Sequence, residues 1–513
     1  MNMSNETTKP IGAFFTPLIW AKWVVKNNGL FDRWLDGALI LDPTAGEGNL
    51  LEAFIATAID KGVEIRREML ERLIGIEKEE KFVENFFSRM KSRYRISFPR
   101  GNFRTEDFIF STNSLKADIV VGNPPWRNFN DLPYLYKEKL KPYFFRYHLV
   151  SNPKDLLLGG SRIDIAALVI AKCIVGNMNV KGKAYFFMPL SILLNDSAHK
   201  AFRSYKLGGD DFAVTEVFDF SHLSIFEGVV ARFGLVSFQR DVKQIFPIPY
   251  HVFESGGWTR RHAMPAFNPD DPLSIIEGNT DSSKHFNVFK KIKIAGESKP
   301  RQGVNTCGAN DIFIFDTLEK LDGTTVRVGN KVNNDVTLPL KYLFPLVTKD
   351  NFHETHPVPQ RFVLLPYDSS TGTPLHKSEI EKEIPLHAYL ISQKSRLQKR
   401  KGTFINAWIM RGFWWALLGV GRYSFAPHKI LWEAYGRSTF CPRIFSGHDE
   451  RCWQGNQALQ AYIPCEDRKS AERICASLRN PFVQHYLSSQ LMEGTCNWAQ
   501  PGRVSKLLEL TNN

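Results

Sequence analysis

Cysteine is scarce in this chain and poorly arranged for a structural role. Seven Cys occur among 513 residues, an odd number, and no two stand in a Cys-x-x-Cys pair. That excludes a disulfide framework and a zinc ribbon, fits reduced thiols in a cytoplasm, and leaves no metal site to name. Long apolar runs are missing too: the longest, 412–421, is about half of what spans a bilayer. Residues 1–10 are polar and carry no apolar segment, so neither a secretory signal nor a membrane anchor is expected. Neither the Gly-x-Gly-x-x-Gly turn of dinucleotide sites nor a Gly-Lys-Ser/Thr phosphate loop is found. Internal repeats and low-complexity tracts are also lacking.

What is present is ordinary globular material, 43% hydrophobic and 23% charged, enough for two to four domains at roughly 150 residues each. The balance is basic, with 66 Lys+Arg against 53 Asp+Glu and a net charge of +13. The excess is concentrated: residues 388–445 hold ten basic side chains and one acid, Glu433. Seven of the ten, Lys394, Arg396, Lys399, Arg400, Lys401, Arg411 and Arg422, are candidate phosphate contacts. Aromatics such as Phe404, Trp408, Trp414 and Trp432 interleave with them. Cationic groups neutralise phosphates and aromatic faces stack on bases, so this segment is expected to touch nucleic acid.

The first half alternates between strand and helix patterns. Apolar runs at 39–41, 73–76, 119–122, 184–188, 214–220 and 233–238 read as strands, and 49–61, 78–93 and 164–175 as helices. This spacing predicts α/β units and a mostly parallel, doubly wound, Rossmann-like sheet, with ligands at the carboxyl ends of its strands. Pro, Gly and charged turns between 247 and 272 suggest a break between domains. We therefore expect a catalytic domain over 1–245, an interdomain region over 246–282, and a mixed α/β domain over 283–513.

The strand ends carry the chemistry. Asp42-Pro43-Thr44-Ala45-Gly46-Glu47-Gly48 lets the backbone approach a ligand closely and feeds a helix N-terminus. Glu77, at the end of the second strand, can accept from both hydroxyls of a ribose. Asp107, before the next strand, can accept from an adenine amine. Three acids in this order suit an adenosine cofactor with a positive charge elsewhere, which S-adenosylmethionine is. The strand 119–122 then delivers Asn123-Pro124-Pro125-Trp126. Here the Asn side-chain oxygen and the Pro124 carbonyl can hold one NH2 group, and Trp126 can stack on a planar ring and face the charge developing on nitrogen.

With these motifs the chain resembles the gamma-class amino-methyltransferases of DNA that modify adenine N6. Gly12-Ala13-Phe14-Phe15-Thr16-Pro17 looks like their N-terminal cofactor motif, which implies Thr16 and Pro17 as cofactor contacts. Asp42, Pro43, Thr44, Ala45, Gly46 and Gly48 match the glycine-rich motif. Glu77, Asp107 and Asn123 match the remaining cofactor positions, and Asn123 to Trp126 the catalytic motif. Thr44-Ala45, Glu47 and Trp126 depart mildly from the commoner residues. The family presents a second aromatic to the flipped base, for which Phe226 is the candidate and Phe220 the rival. The second half is similar to target-recognition domains, through Leu343-Phe344-Pro345-Leu346, 362–367 and 385–400.

The resemblance implies a sequence-specific, S-adenosylmethionine-dependent methyltransferase acting on a flipped adenine in duplex DNA. It also implies a cognate restriction endonuclease or defence-system proteins as partners. Glu381-Lys382-Glu383 reads as a charge run, and no nuclease signature precedes the cofactor motif. The alternatives are methylation of RNA adenine or of a protein glutamine amide, or a DNA-binding defence subunit with little turnover.

Overall fold

Strands covered on both faces read as nearly continuous apolar runs, and the centre of the first sheet is built from such runs. They are β1 (Ile40–Asp42), β2 (Leu73–Glu77), β4 (Ala117–Gly122) and the far half of β5 (Met178–Pro189), while β3 (Phe103–Thr105), at the sheet's edge, has only Phe103 buried. The computed structural model describes residues 14–112, 114–150, 163–194, 198–226, 228–229, 231–265, 267–276, 291–435, 439–448, 451–489 and 499–511. Residues 1–10, Gly12, Ala13, Glu227, Val230, 277–282 and Arg437, all invoked above, lie outside them. The chain divides into two compact units, Met1–Val288 and Phe289–Asn513.

In the first unit, β3, β2, β1, β4 and β5 lie side by side in that order, all parallel. The sheet continues through β8 (Phe233–Arg240), antiparallel to β5, and then β7 (Asp210–Asp219), antiparallel to β8, with the short β6 (Lys206–Leu207) paired to β7. Successive side chains of a strand point to opposite faces, and the core divides accordingly. Ile40, Ile119, Val121, Tyr185 and Phe187 join one apolar cluster; Leu41, Val120, Ala184, Phe186 and Met188 join the other. The first cluster takes in α1 (Leu18–Asn27), α2 (Leu30–Leu35), α3 (Asn49–Asp60), α4 (Arg67–Glu71) and α5 (Glu80–Tyr94). The second takes in α6 (Tyr134–Arg146) and α7 (Ile165–Lys172). Connections therefore leave β1 on one face and β4 on the other. This is the switch point at which open α/β sheets bind ligands.

The stretch expected to separate two domains instead extends this sheet. β9 (Ile248–Glu254) pairs parallel with β7, and β10 (Gly257–Pro265) and β11 (Leu273–Ile276) follow antiparallel. β9 and β10 are joined at Ser255-Gly256, both with positive φ (50° and 82°), the backbone that a two-residue hairpin turn requires. Ile248, Tyr250 and Val252 alternate inward, so burial on one face overrides the turn-rich composition. The interdomain reading of 246–282 is corrected over 248–276, and the two units divide at Val288/Phe289.

The second unit is mixed α/β. Arg301–Gln302, Gln460–Cys465, His428–Glu433 and Arg443–Ser446 form one antiparallel sheet. Two three-stranded antiparallel sheets and a parallel pair, Ile292–Ala295 with Leu508–Thr511, complete its strands among the described residues. Its longer helices include α8 (Lys377–Lys382), α9 (Ile384–Gln398), α10 (Thr403–Met410) and α11 (Arg468–Leu478). The family-like stretches fall on the strands Leu343–Leu346 and Arg361–Leu364 and on α9. Among the described residues no helix is long and apolar enough to cross a membrane.

Candidate active site

The carboxyl ends of β1, β2 and β4 open onto one cavity of about 270 Å³. Its wall on the β1 side is a glycine turn that admits no side chain. Gly46 has φ +55°, and a Cβ there would sit 2.8 Å from the Phe15 ring; Gly48, at +77°, would place one 2.4 Å from Phe86. The turn is pinned from behind, where buried Glu52 on α3 takes Arg89 at 2.7 Å and Tyr94 at 2.6 Å from α5. Arg89 also donates to the Glu47 carbonyl and to Asn49 Oδ1.

Asp42, Glu77 and Asp107 all line the cavity. Asp42 accepts from the Thr44 N–H at 3.2 Å. Burial pushes its carboxyl well above the usual range, and Glu77 adds to the shift. Glu77 accepts from the Gly46 N–H at 2.7 Å and the Glu79 N–H at 2.9 Å, yet burial still raises its pKa. These two acids therefore favour a cationic guest that restores their charge. Asp107 accepts from the Ile109 N–H at 3.1 Å and the Tyr136 hydroxyl at 2.9 Å, with Lys78 Nζ at 3.4 Å. Lys172, buried behind this loop, donates to the carbonyls of Phe108, Ile109 and Ser111 at 2.5, 3.1 and 2.6 Å.

Asn123 follows β4 directly. Its NH2 group donates to the Phe14 carbonyl at 2.7 Å and to Thr16 Oγ1 at 3.3 Å. Both amide hydrogens are thus used, which fixes the amide orientation and turns Oδ1 the other way. Among the described residues nothing donates to Oδ1 or to the Pro124 carbonyl, and Pro125 has no N–H with which to compete. Thr16 is buried, its carbonyl accepts from Asn49 Nδ2 at 2.9 Å, and Pro17 is the N-cap of α1. The 14–17 segment therefore ties the glycine turn to the Asn-Pro-Pro corner.

Trp126 is anchored by its indole N–H to the Phe187 carbonyl at 3.3 Å. Phe14, Phe226 and Phe233 surround it at ring-centroid distances of 5.7, 5.2 and 5.3 Å. Phe226 meets it edge-on, at an interplanar angle of 88°. In this arrangement Phe226 buttresses Trp126 from the side; it does not face it across a gap the thickness of a base. Phe220 is fully buried among Trp20, Trp23 and Trp258.

The structure thus brings Thr16, Asp42, Thr44, Ala45, Gly46, Glu77, Asp107 and Asn123 around one space. The sequence did not single out Tyr136, Lys78 or Lys172. The first two come from a helix and a strand end with no motif of their own, and a buried lysine is invisible to a charge count.

In the second unit, Lys394, Arg396, Lys399, Lys401, Arg411 and Arg422 are exposed. Arg396 is paired with Asp311 at 2.5 Å. Arg400 differs: it is 8% exposed and donates to the carbonyls of Leu397, Thr306 and Trp414. Its candidacy as a phosphate contact is corrected, since its guanidinium is spent on closing the backbone of its own unit.

No protein-family model matches the chain, and no curated protein matches it. Solved structures are similar in fold. They include the type IIL restriction-modification enzyme MmeI in complex with DNA (15% identity over 88% of this chain and 60% of that one, TM-score 0.48). The type IIG restriction endonuclease BpuSI is similar at 14% identity over 96% and 58%, TM-score 0.41. The methyltransferase subunit of a type I restriction-modification system from Streptococcus thermophilus is similar at 14% identity over 55% and 53%, TM-score 0.34. The chain spans between 53% and 60% of the length of these three proteins.

Proposed function

We propose that this chain is a DNA methyltransferase that moves a methyl group from S-adenosylmethionine to N6 of an adenine extruded from duplex DNA. One observation carries the reading. The Asn123 amide spends both hydrogens on Phe14 and Thr16, leaving Oδ1 and the adjoining Pro124 carbonyl as free acceptors where β4 opens onto the cavity.

The residues present fit the cofactor. Asp42 and Glu77 are carboxyls strained by burial that a cation would relieve. Asp107 retains acceptor capacity for an amine, and Gly46 brings bare backbone to the cavity wall. When bound there, S-adenosylmethionine supplies an electrophilic methyl group. The protein's part is to make a conjugated amine nucleophilic. Asn123 Oδ1 and the Pro124 carbonyl take its two N–H groups, which pulls the nitrogen toward tetrahedral geometry and frees its lone pair. The π face of Trp126, held rigid by Phe187, stacks on the base and meets the positive charge that develops.

Adenine N6 is paired in a duplex, so the base must leave the stack at a cost of a few kcal/mol. Exposed Lys394, Lys399, Lys401, Arg411 and Arg422 on the second unit offer phosphate contacts that offset this cost. The test is methyl transfer from labelled S-adenosylmethionine to unmethylated duplex DNA, with nucleoside digestion and mass analysis. N6-Methyladenine is the expected product. Label on RNA or on a protein glutamine, or cofactor binding with no methylated nucleoside, would overturn the proposal.

A further inference from the structure

Helix α10 presents large apolar side chains to solvent. Its sequence, Thr403-Phe404-Ile405-Asn406-Ala407-Trp408-Ile409-Met410, carries no charge, and of its eight residues only Ile405 is buried. Phe404 is 77% and Met410 87% exposed. A helix that merely faces water presents Lys, Glu and Gln on its outer side, so an outer side bearing Phe and Met is waiting for something apolar.

The helix is also firmly mounted. Arg400, just before it, is locked onto the carbonyls of Thr306 and Trp414. Just after it, the Phe413 ring packs edge-on against Trp408 at 5.7 Å. Glycines stand at both ends, Gly402 at φ +134° and Gly412 at +91°, so the chain turns sharply into and out of a single short projection. An open depression beside it is lined by Phe404, Ala407, Trp408 and Arg411 and by Leu418 and Gly419.

Cations rim this apolar tip. Lys399 and Lys401 precede the helix and Arg411 follows it, all exposed, with the Arg411 guanidinium 5.8 Å from the centre of the Trp408 ring. No acid occurs anywhere from 384 to 432. Asp311, from outside that stretch, is paired with Arg396. An apolar tip between two sets of cations is the complement of stacked bases between two rows of phosphates. A lipid surface would also suit the charge, but two exposed apolar side chains on so short a helix offer little area to a membrane.

We propose that α10 is a wedge: Phe404 enters the base stack of bound duplex DNA, Met410 lies against the groove floor, and Lys399, Lys401 and Arg411 grip the flanking phosphates. The inference rests on duplex DNA being the substrate. Its consequence is a kink in the bound duplex.

The experiment uses the full chain and a duplex of about 30 base pairs containing the mapped methylation site, labelled at its two ends for energy transfer. Wild-type protein should bring the ends together. Phe404→Ala should abolish the kink and weaken binding to the paired duplex roughly tenfold, leaving the salt slope unchanged. Most of that loss should vanish on a duplex already mismatched at the wedged step. Phe404→Leu should retain most of the kink, and because Phe404 is exposed, thermal unfolding should not move. Lys399→Ala with Lys401→Ala should do the reverse, keeping the kink and lowering the salt slope by about one per residue.

Wild-type binding and methylation without a kink, or a kink that survives Phe404→Ala, overturns the wedge and leaves the methyltransferase reading standing. Wild-type protein with no affinity for duplex DNA overturns both. Binding to phosphatidylserine vesicles that is lost in Phe404→Ala reassigns the helix to a membrane surface and likewise overturns the wedge.

Discussion

Asn123 shows how much depends on which way one amide points. With its NH2 committed to Phe14 and Thr16, it can only accept from a guest, and a guest amine is what it can hold. Asn123→Ala removes that acceptor and should lower methyl transfer by roughly 10²–10³-fold. Cofactor affinity should fall far less, because Asp42, Glu77 and Asp107 remain; single-turnover rates beside equilibrium binding separate the two. A comparable loss of cofactor affinity would place Asn123 on the cofactor rather than on the amine. The raised carboxyls of Asp42 and Glu77 make a second prediction. Both hold protons above the usual carboxylate range in the free protein, and a cationic ligand favours their ionised forms. Binding should therefore release protons and tighten as pH rises through that raised range. Calorimetry in buffers of different ionisation enthalpy measures the release directly, and no release would mean that the ligand does not draw these carboxyls into their ionised forms.

At the scale of elements, α7 begins with a capping carboxylate in an unusual state. Asp164 accepts from the Ala166 N–H at 2.8 Å, yet burial pushes its pKa up to about 7. Unfolded, the same group loses its proton near pH 4. Between those values the folded chain binds more protons, so this group's contribution to stability declines as pH rises through the window and is gone above about 7. His199, which accepts from the Asp164 N–H at 3.4 Å, runs the other way, with burial pushing its pKa down to about 3. Comparing Asp164→Asn with wild type isolates the carboxyl, because Asn still caps the helix and the backbone N–H is kept. The variant should gain melting temperature relative to wild type between pH 5 and pH 8. A difference that does not change with pH would mean Asp164 titrates normally.

Across the whole molecule the positive charge must be divided into groups that can meet a polyanion and groups that cannot. Lys399 and Lys401 are exposed, whereas Arg400 between them is inside. Arg400→Met should cost about 2 kcal/mol of stability by stranding carbonyls and leave the salt dependence of DNA binding alone. Lys399→Ala should cost almost no stability and reduce the salt slope by about one. Thermal melts and DNA titrations at several salt concentrations check both halves of the contrast. Lys429 and Arg443 belong with Arg400: the first is fully buried on the Ala426 carbonyl, and the second donates to the carbonyls of Asn351, Phe352 and Thr355.

The sequence by itself determined what is local. Apolar runs ending in Asp42, Glu77 and Asn123, glycines at 46 and 48, and the Asn-Pro-Pro-Trp corner are legible because strand period, turn chemistry and strand-end chemistry act within a few residues. The hairpin of β9 and β10 left a local signal as well, Ser255-Gly256, but Pro247, Pro249 and the charges of 260–262 outweighed it. Only the sheet's one-sided burial of Ile248, Tyr250 and Val252 makes strands there. Tertiary structure alone decided what depends on direction. It turned Arg400 inward and Lys399 outward, set Phe226 edge-on to Trp126, and placed Tyr136 and Lys172 behind Asp107. The physical reason is that burial and hydrogen-bond partners belong to packed elements distant in sequence, and no composition or spacing records which way a side chain faces.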